Sequence, residues 1–186
     1  REELISHGDR QGRALALDIL EGGLAAADPY TNVRQLIRIE GNRLLVGGDP
    51  AKDVSGLGDQ MIDLDEIDHI YVIGAGKAVQ RQAEALEDIL GDRLTAGTIT
   101  VKQGEGRHLR RIEVIEGAHP VPDEQSLAGA RRAVELAQAA GKRDLVFTLF
   151  SDGASSLLAL PAPGLTLDDI RQVYFIAIRY GDQRII

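Results

Sequence analysis

The sequence predicts an α/β domain with helices on both faces of a mostly parallel sheet, and three observations carry that expectation. Short β-branched or apolar runs at residues 69–73, 97–102, 112–115 and 145–150 alternate with segments of helix length, the pattern of successive βαβ units. The 186 residues weigh 20.1 kDa. A chain of that mass folds to roughly 8,700 Å² of surface from about 29,000 Å² unfolded, so about 70% is buried and one core suffices. Aromatic residues are scarce, with three Phe, four Tyr and no Trp. A core of Leu, Ile, Val and Ala suits helices packed on a sheet better than an aromatic-rich β-sandwich. The expected architecture is Rossmann-like, three-layer α/β/α, in a single domain spanning residues 1–186.

The elements follow in order. Residues 4–24 read as one helix, with Leu4, Leu15, Leu17, Ile19, Leu20 and Leu24 among alanines and charges, ended by Asp28-Pro29. Residues 30–39 read as a second helix with Val33, Leu36 and Ile37 on one face. This helical lead-in, residues 1–40, is expected to pack on the same domain. Gly41-Asn42 turns into a short strand at 44–46, and residues 47–60 read as loop. The strand at 69–73 ends in Gly74-Ala75-Gly76, and a helix from Lys77 to about Leu90 is closed by Gly91. Strands at 97–102 and 112–115 come next. Pro122-Asp123 opens a helix to about Ala140. Residues 145–150 carry no charge and read as the most buried strand. Thr166 caps a last helix, with Asp169 as the capping-box acid and Ile170, Val173, Tyr174, Ala177 and Ile178 as its apolar face, ended by Gly181.

Composition excludes several function classes. With no cysteine, a disulfide scaffold, a Cys-based zinc site and a cysteine nucleophile are out, and the chain fits a reducing cytoplasm. A net charge of −8 argues against non-specific nucleic-acid binding, which needs a basic face. A local patch can still oppose the global sign and take an anionic substrate. The longest uncharged stretch of the second half, residues 153–167, is too short and too rich in Pro and Gly to span a membrane. No signal peptide is visible in residues 1–27. The first residue is Arg1 rather than Met, as in numbering that begins inside a longer protein. A homo-oligomer is compatible with this pattern.

Three segments carry chemistry. In Gly74-Ala75-Gly76-Lys77-Ala78, Gly74 and Gly76 let a backbone approach an anion, the next helix offers N–H groups, and Lys77 adds a charge. The segment is neither a Walker A loop nor a complete G-x-G-x-x-G, since Val79 stands where the fingerprint needs glycine. It reads equally as a tight turn with an exposed lysine. In Gly117-Ala118-His119-Pro120-Val121-Pro122-Asp123, two prolines stiffen a loop that holds His119 at a strand's carboxyl end, where open α/β sheets place ligands. The bland alternative is a helix start with His119 packed against it. In Ser151-Asp152-Gly153-Ala154-Ser155-Ser156-Leu157, small hydroxyl residues suit phosphate or carboxylate capture. The elbow G-x-S-x-G is half matched, with Leu157 at its closing position. Here the alternative is a short helix N-capped by Ser151 or Asp152. His7, His69 and His108 show no ligand spacing, and Arg107, Arg110 and Arg111 read as a surface cluster. Asp63, Asp65, Glu66 and Asp68 read as a solvated approach to a strand rather than a metal site.

Taken in series, these segments resemble the glycerate 2-kinase family whose members end in a MOFRL domain. The matching motifs are the Gly-Ala-Gly-Lys-Ala turn at 74–78, the Ala-His-Pro-x-Pro-Asp loop at 118–123, the serine and glycine turn at 151–157, and Pro-x-x-Gly-Leu-Thr-Leu at 161–167. Together they cover roughly residues 4–180. The resemblance implies ATP- and Mg²⁺-dependent phosphorylation of the C2 hydroxyl of glycerate, in a cleft between two α/β domains. It places Lys77 at the transferring phosphate, where an ammonium stabilises charge on the phosphoryl oxygens. It assigns phosphate donors to Ser151, Gly153, Ser155 and Ser156, and sets His119 at the border of the cleft toward the substrate. Two departures stand out. Asp152 puts a carboxylate where the family has glycine, so it either holds Mg²⁺ or repels the nucleotide. The family's second domain, with its essential arginine, is absent, so the chain by itself is expected to be inactive. The other classes considered are a hydroxypyruvate reductase-type oxidoreductase, against which the incomplete fingerprint counts, a non-catalytic nucleotide-binding module, and a serine hydrolase.

Overall fold

A computed structural model describes residues 1–47 and 60–180, with side chains to residue 176. Its centre is a four-stranded parallel sheet formed by β4 (His69–Ala75), β5 (Ala96–Lys102), β6 (Ile112–Gly117) and β7 (Asp144–Phe150). The spatial order is β6-β5-β4-β7. Numbered within the sheet, that is 3-2-1-4, the order of the first half of a doubly wound fold. Helices α4 (Val79–Leu90) and α5 (Glu124–Ala139) make the crossovers. Alternation along β5 shows that they lie on opposite faces. Ile99 and Val101 join Val79, Ala83, Leu86 and Leu90 of α4 in the main core. Thr100, one residue out of phase, meets α5 so closely that a Cβ on Gly129 would lie 2.0 Å from its hydroxyl. The expected three layers are present.

Local chemistry sets the helix ends. Asp123 accepts from the Ser126 backbone N–H at 2.9 Å, and the Ser126 hydroxyl returns to the Asp123 amide, closing a capping box at the start of α5. At α7 (Leu167–Tyr180), Asp169 N–H donates to the Thr166 hydroxyl while the Asp169 carboxylate accepts from Thr166 N–H at 2.7 Å. Both starts agree with the sequence pattern. Val173 nevertheless stays 52% exposed, so the predicted apolar face of α7 is only partly covered. Ala177, Ile178 and the Gly181 stop lie outside the described side chains and residues. The loop from β5 to β6 is clamped onto α4 by Glu87, which is buried and accepts from the Arg110 and Arg111 amides at 2.9 and 2.7 Å. Burial pushes the Glu87 carboxyl up, but those amides and the Arg110 guanidinium outweigh it and hold it below the usual glutamate range.

The amino-terminal third departs from expectation. The first helix is two, α1 (Glu2–Ile5) and α2 (Arg10–Ala26). They are split where Gly8 turns left-handed (φ 66°) and Asp9 caps the Gly12 amide. The second helix, α3 (Pro29–Leu36), stops early, and Ile37 begins a strand. Its β-branched residues Ile37 and Ile39 pair across the Gly41-Asn42 turn with β2 (Arg43–Val46), so β1 (Ile37–Glu40) and β2 form a hairpin. The strand β3 (Gln60–Asp63) extends it into an antiparallel three-stranded sheet. The rest of the loop expected at 47–60, residues 48–59, lies outside the described residues. Only part of the lead-in packs as expected. Ile37 and Leu44 enter the core with α4, and Arg81 stacks 4.8 Å from the centre of the Tyr30 ring. The α2 helix buries no residue and leaves Leu15, Ile19, Leu20 and Leu24 at least 60% exposed.

β7 also differs from expectation. It is an edge strand, half-buried along most of its length, with Thr148 and Phe150 exposed. An uncharged run is common to central and edge strands, and only the pairing distinguishes them. Among the described residues, no helix is long and apolar enough to cross a membrane.

Candidate functional site

In an open α/β sheet, ligands bind beyond the carboxyl ends of the strands where the strand order reverses. Here that point lies between β4 and β7. The segment after β4 carries Gly74, Gly76 and Lys77, and the segment after β7 carries Ser151, Asp152 and Gly153. Residues 75 apart in sequence therefore meet because β4 and β7 are paired neighbours in register.

The contact between these two segments is close. Lys77 N–H donates to the Asp152 carbonyl at 2.9 Å. Ala78 N–H donates to the Ser151 hydroxyl at 2.9 Å. Gly76 N–H reaches the Thr100 carbonyl at 3.2 Å. The glycines make this approach possible. Gly76 has φ 134°, and a Cβ there would sit 2.1 Å from the Ser151 hydroxyl oxygen. A Cβ on Gly74 would sit 2.5 Å from the Leu149 carbonyl. In this arrangement the glycines bring loop to loop, and the amides of residues 76–78 are spent on protein acceptors. The charged group of the segment is the Lys77 ammonium. It lies 2.7 Å from the Asp152 carboxylate, with side chains 42% and 85% exposed. The Lys77 hydrogen bond and charge hold the Asp152 carboxyl below its ordinary range.

Gly153, with φ 87°, caps the one-turn helix α6 (Ala154–Leu157) through its backbone, so neither Ser151 nor Asp152 serves as the N-cap. Ser155 is exposed at this turn. Ser156 is buried and its hydroxyl donates to the Gly153 carbonyl at 3.1 Å, which turns it inward. His119, after β6, closes the third side. A Cβ on Gly153 would come within 3.0 Å of His119 Nε2 and 3.5 Å of Lys77 Cε. The His119–Pro120 bond is cis. Burial lowers the His119 pKa, Lys77 lowers it further, and Asp152 opposes them, a shift that favours the neutral imidazole. All three sequence segments converge. Among the described residues, no three His, Asp or Glu gather as a metal site, and the Asp152 carboxylate is a hard oxygen donor beside Lys77.

Sequence reasoning missed the anchor of this region. Arg171 of α7 donates to the Pro122 carbonyl at 2.9 Å and lies 3.6 Å from Glu124, tying the last helix to the His119 loop. No local motif marks that arginine. The cluster Arg107, Arg110 and Arg111 lines a separate groove of about 540 Å³ along β6. Its charges are matched by Glu84, Glu87, Asp88 and Asp92, as expected of a surface cluster.

The DUF4147 model, described as a domain of unknown function, matches residues 15–181. A glycerate 2-kinase of Pyrococcus horikoshii is 35% identical over 174 residues, covering 90% of this chain and 36% of its own length. A D-glycerate 2-kinase of Thermotoga maritima is 33% identical over 116 residues, 62% of this chain and 28% of its own. A protein of Agrobacterium vitis named as a hydroxypyruvate reductase is 42% identical over 102 residues, 55% of this chain and 26% of its own. Among solved structures, the PH0495 protein of P. horikoshii superposes with a TM-score of 0.77 at 32% identity, over 92% of this chain and 36% of that one. The chain thus spans about a third of the length of these relatives.

Proposed function

The chain belongs to the DUF4147 family, the amino-terminal domain of the glycerate kinase (MOFRL) family, and from that premise we propose that it supplies the phosphate-handling half of an ATP-dependent kinase that converts glycerate to 2-phosphoglycerate. One observation carries the reading: an exposed lysine stands at the sheet's switch point, held by two loops that reach each other through glycine. Lys77 is the residue for the transferring phosphate. Its ammonium stabilises charge that grows on the phosphoryl oxygens, and the backbone bond to Asp152 fixes where it starts. Gly74 and Gly76 hold the loops close enough for this. The Ser155 hydroxyl is an exposed donor of the serine turn. Ser151, Gly153 and Ser156 chiefly shape that turn. His119, neutral and beside Gly153 and Lys77, is positioned to hydrogen-bond the glycerate rather than to add charge.

Mg²⁺ travelling with ATP neutralises phosphate charge, and Asp152 is the side chain here that fits it as an oxygen ligand. The rest of the cleft belongs to the part of the relatives' length that this chain does not span. The direct test is glycerate-dependent ADP release by a protein carrying this domain and the remaining length of its relatives, with and without Lys77→Gln. Lys77-dependent turnover supports the reading, and equal turnover in both sinks it. The Agrobacterium relative favours one second reading, reduction of hydroxypyruvate. NADH oxidation on adding hydroxypyruvate, without glycerate-dependent ADP release, would select it.

A further inference from the structure

Asp152 is a carboxylate set beside the one cation that the phosphate reading depends on, and a backbone hydrogen bond joins the two residues. The bond from Lys77 N–H to the Asp152 carbonyl, at 2.9 Å, joins the two residues before their side chains meet at 2.7 Å. In this structure the ammonium and the carboxylate stand side by side. The neighbouring lysine is itself paired. Lys102, the other lysine acting on His119, lies 3.7 Å from Glu105. A free polyphosphate arriving here meets paired charges, and to reach Lys77 it must displace Asp152.

Displacement itself is easy. The Asp152 side chain is 85% exposed, and exposed ion pairs are weak. Accommodating the phosphate is harder, because the displaced carboxylate then faces oxygens of its own sign. A divalent cation resolves this, since Mg²⁺ commonly binds through one or two carboxylates together with phosphate oxygens. With no cluster of three acidic or histidine side chains among the described residues, a single carboxylate here takes a cation only when phosphates share the coordination.

Resting on the phosphate-site reading above, we propose that Asp152 is a specificity-determining residue that makes the site select a metal-complexed polyphosphate over a free one: it pairs Lys77 when the site is empty, then passes to the cation as the lysine passes to phosphate. The experiment is calorimetric titration of ATP into a protein carrying this domain and the remaining length of its relatives, once with chelator and once with saturating Mg²⁺, for the wild-type protein and for Asp152→Asn, Asp152→Gly and Lys77→Gln. Thermal melts verify that each variant is folded. The expected result is that Mg²⁺ tightens wild-type binding about tenfold. Asp152→Asn and Asp152→Gly should bind metal-free ATP more tightly than wild type does and lose most of the Mg²⁺ effect. Binding that Lys77→Gln abolishes but that shows the same Mg²⁺ effect in wild type and Asp152→Asn overturns this proposal and leaves the phosphate site standing. Absence of Lys77-dependent ATP binding under either condition overturns both.

Discussion

Lys77 and Gly76 are adjacent and fail in different ways, which makes them the sharpest pair of residue tests. Lys77 is exposed and its partner Asp152 more so, so Lys77→Gln should leave the melting temperature nearly unchanged. It should cut turnover of the longer protein by about 10²–10³-fold, the usual cost of removing one donor to developing charge. A fall in melting temperature with unchanged activity per folded molecule would make the lysine structural. Gly76→Ala does the reverse. At φ 134°, with Ser151 where its Cβ would go, alanine should cost about 1–3 kcal/mol by denaturant unfolding. Glu87 gives a pH test. Its carboxyl titrates below the ordinary value in the folded state, so its stabilisation is present above about pH 4.3 and is lost as pH falls through the folded value. Glu87→Gln should therefore cost about 1–3 kcal/mol at pH 7. The gap to wild type should narrow in acid, and a gap independent of pH would refute the assignment.

At the scale of elements, α2 and α4 both carry leucines at helical spacing and meet opposite fates. Leu86 of α4 is fully buried between the parallel sheet and the small antiparallel one, and Leu86→Ala should cost about 2–5 kcal/mol. Leu24 of α2 is 74% exposed, and Leu24→Ser should change stability by no more than about 0.5 kcal/mol. Equal losses in the two variants would mean that α2 is buried in solution. This contrast is hard to read from the sequence for a physical reason. Leucines at helical spacing mark an amphipathic helix, but the spacing does not say whether anything covers the stripe. The same holds for β1, where Ile37 and Ile39 fit a helix face as well as a strand. The partner strand 44–46, brought back by the Gly41 turn (φ 63°), decides between them.

For the whole molecule, the uncovered α2 and the exposed apolar residues of α7, Val173, Phe175 and Ile176, leave apolar surface in contact with water. Because the chain spans about a third of its relatives, the full chain incubated with ATP, Mg²⁺ and glycerate should form no product above background. Clear turnover would show that the site is complete within these residues.

By itself the sequence determined the fold class, the order of the four parallel strands along the chain, the capping box at Thr166 and Asp169, and the three segments that meet at the site. All of these are local: side-chain periodicity, turn chemistry and short motifs act over a few residues. Which strands are neighbours, and so which motifs touch, was decided by the tertiary structure alone. The pairing of β4 with β7 turns Lys77 and Asp152 into an ion pair, spends the loop amides on protein acceptors, and leaves β7 half-buried where its uncharged run had pointed to the most buried strand. Such contacts depend on sheet order, a property of how distant segments pack, which the pattern within any one segment does not encode.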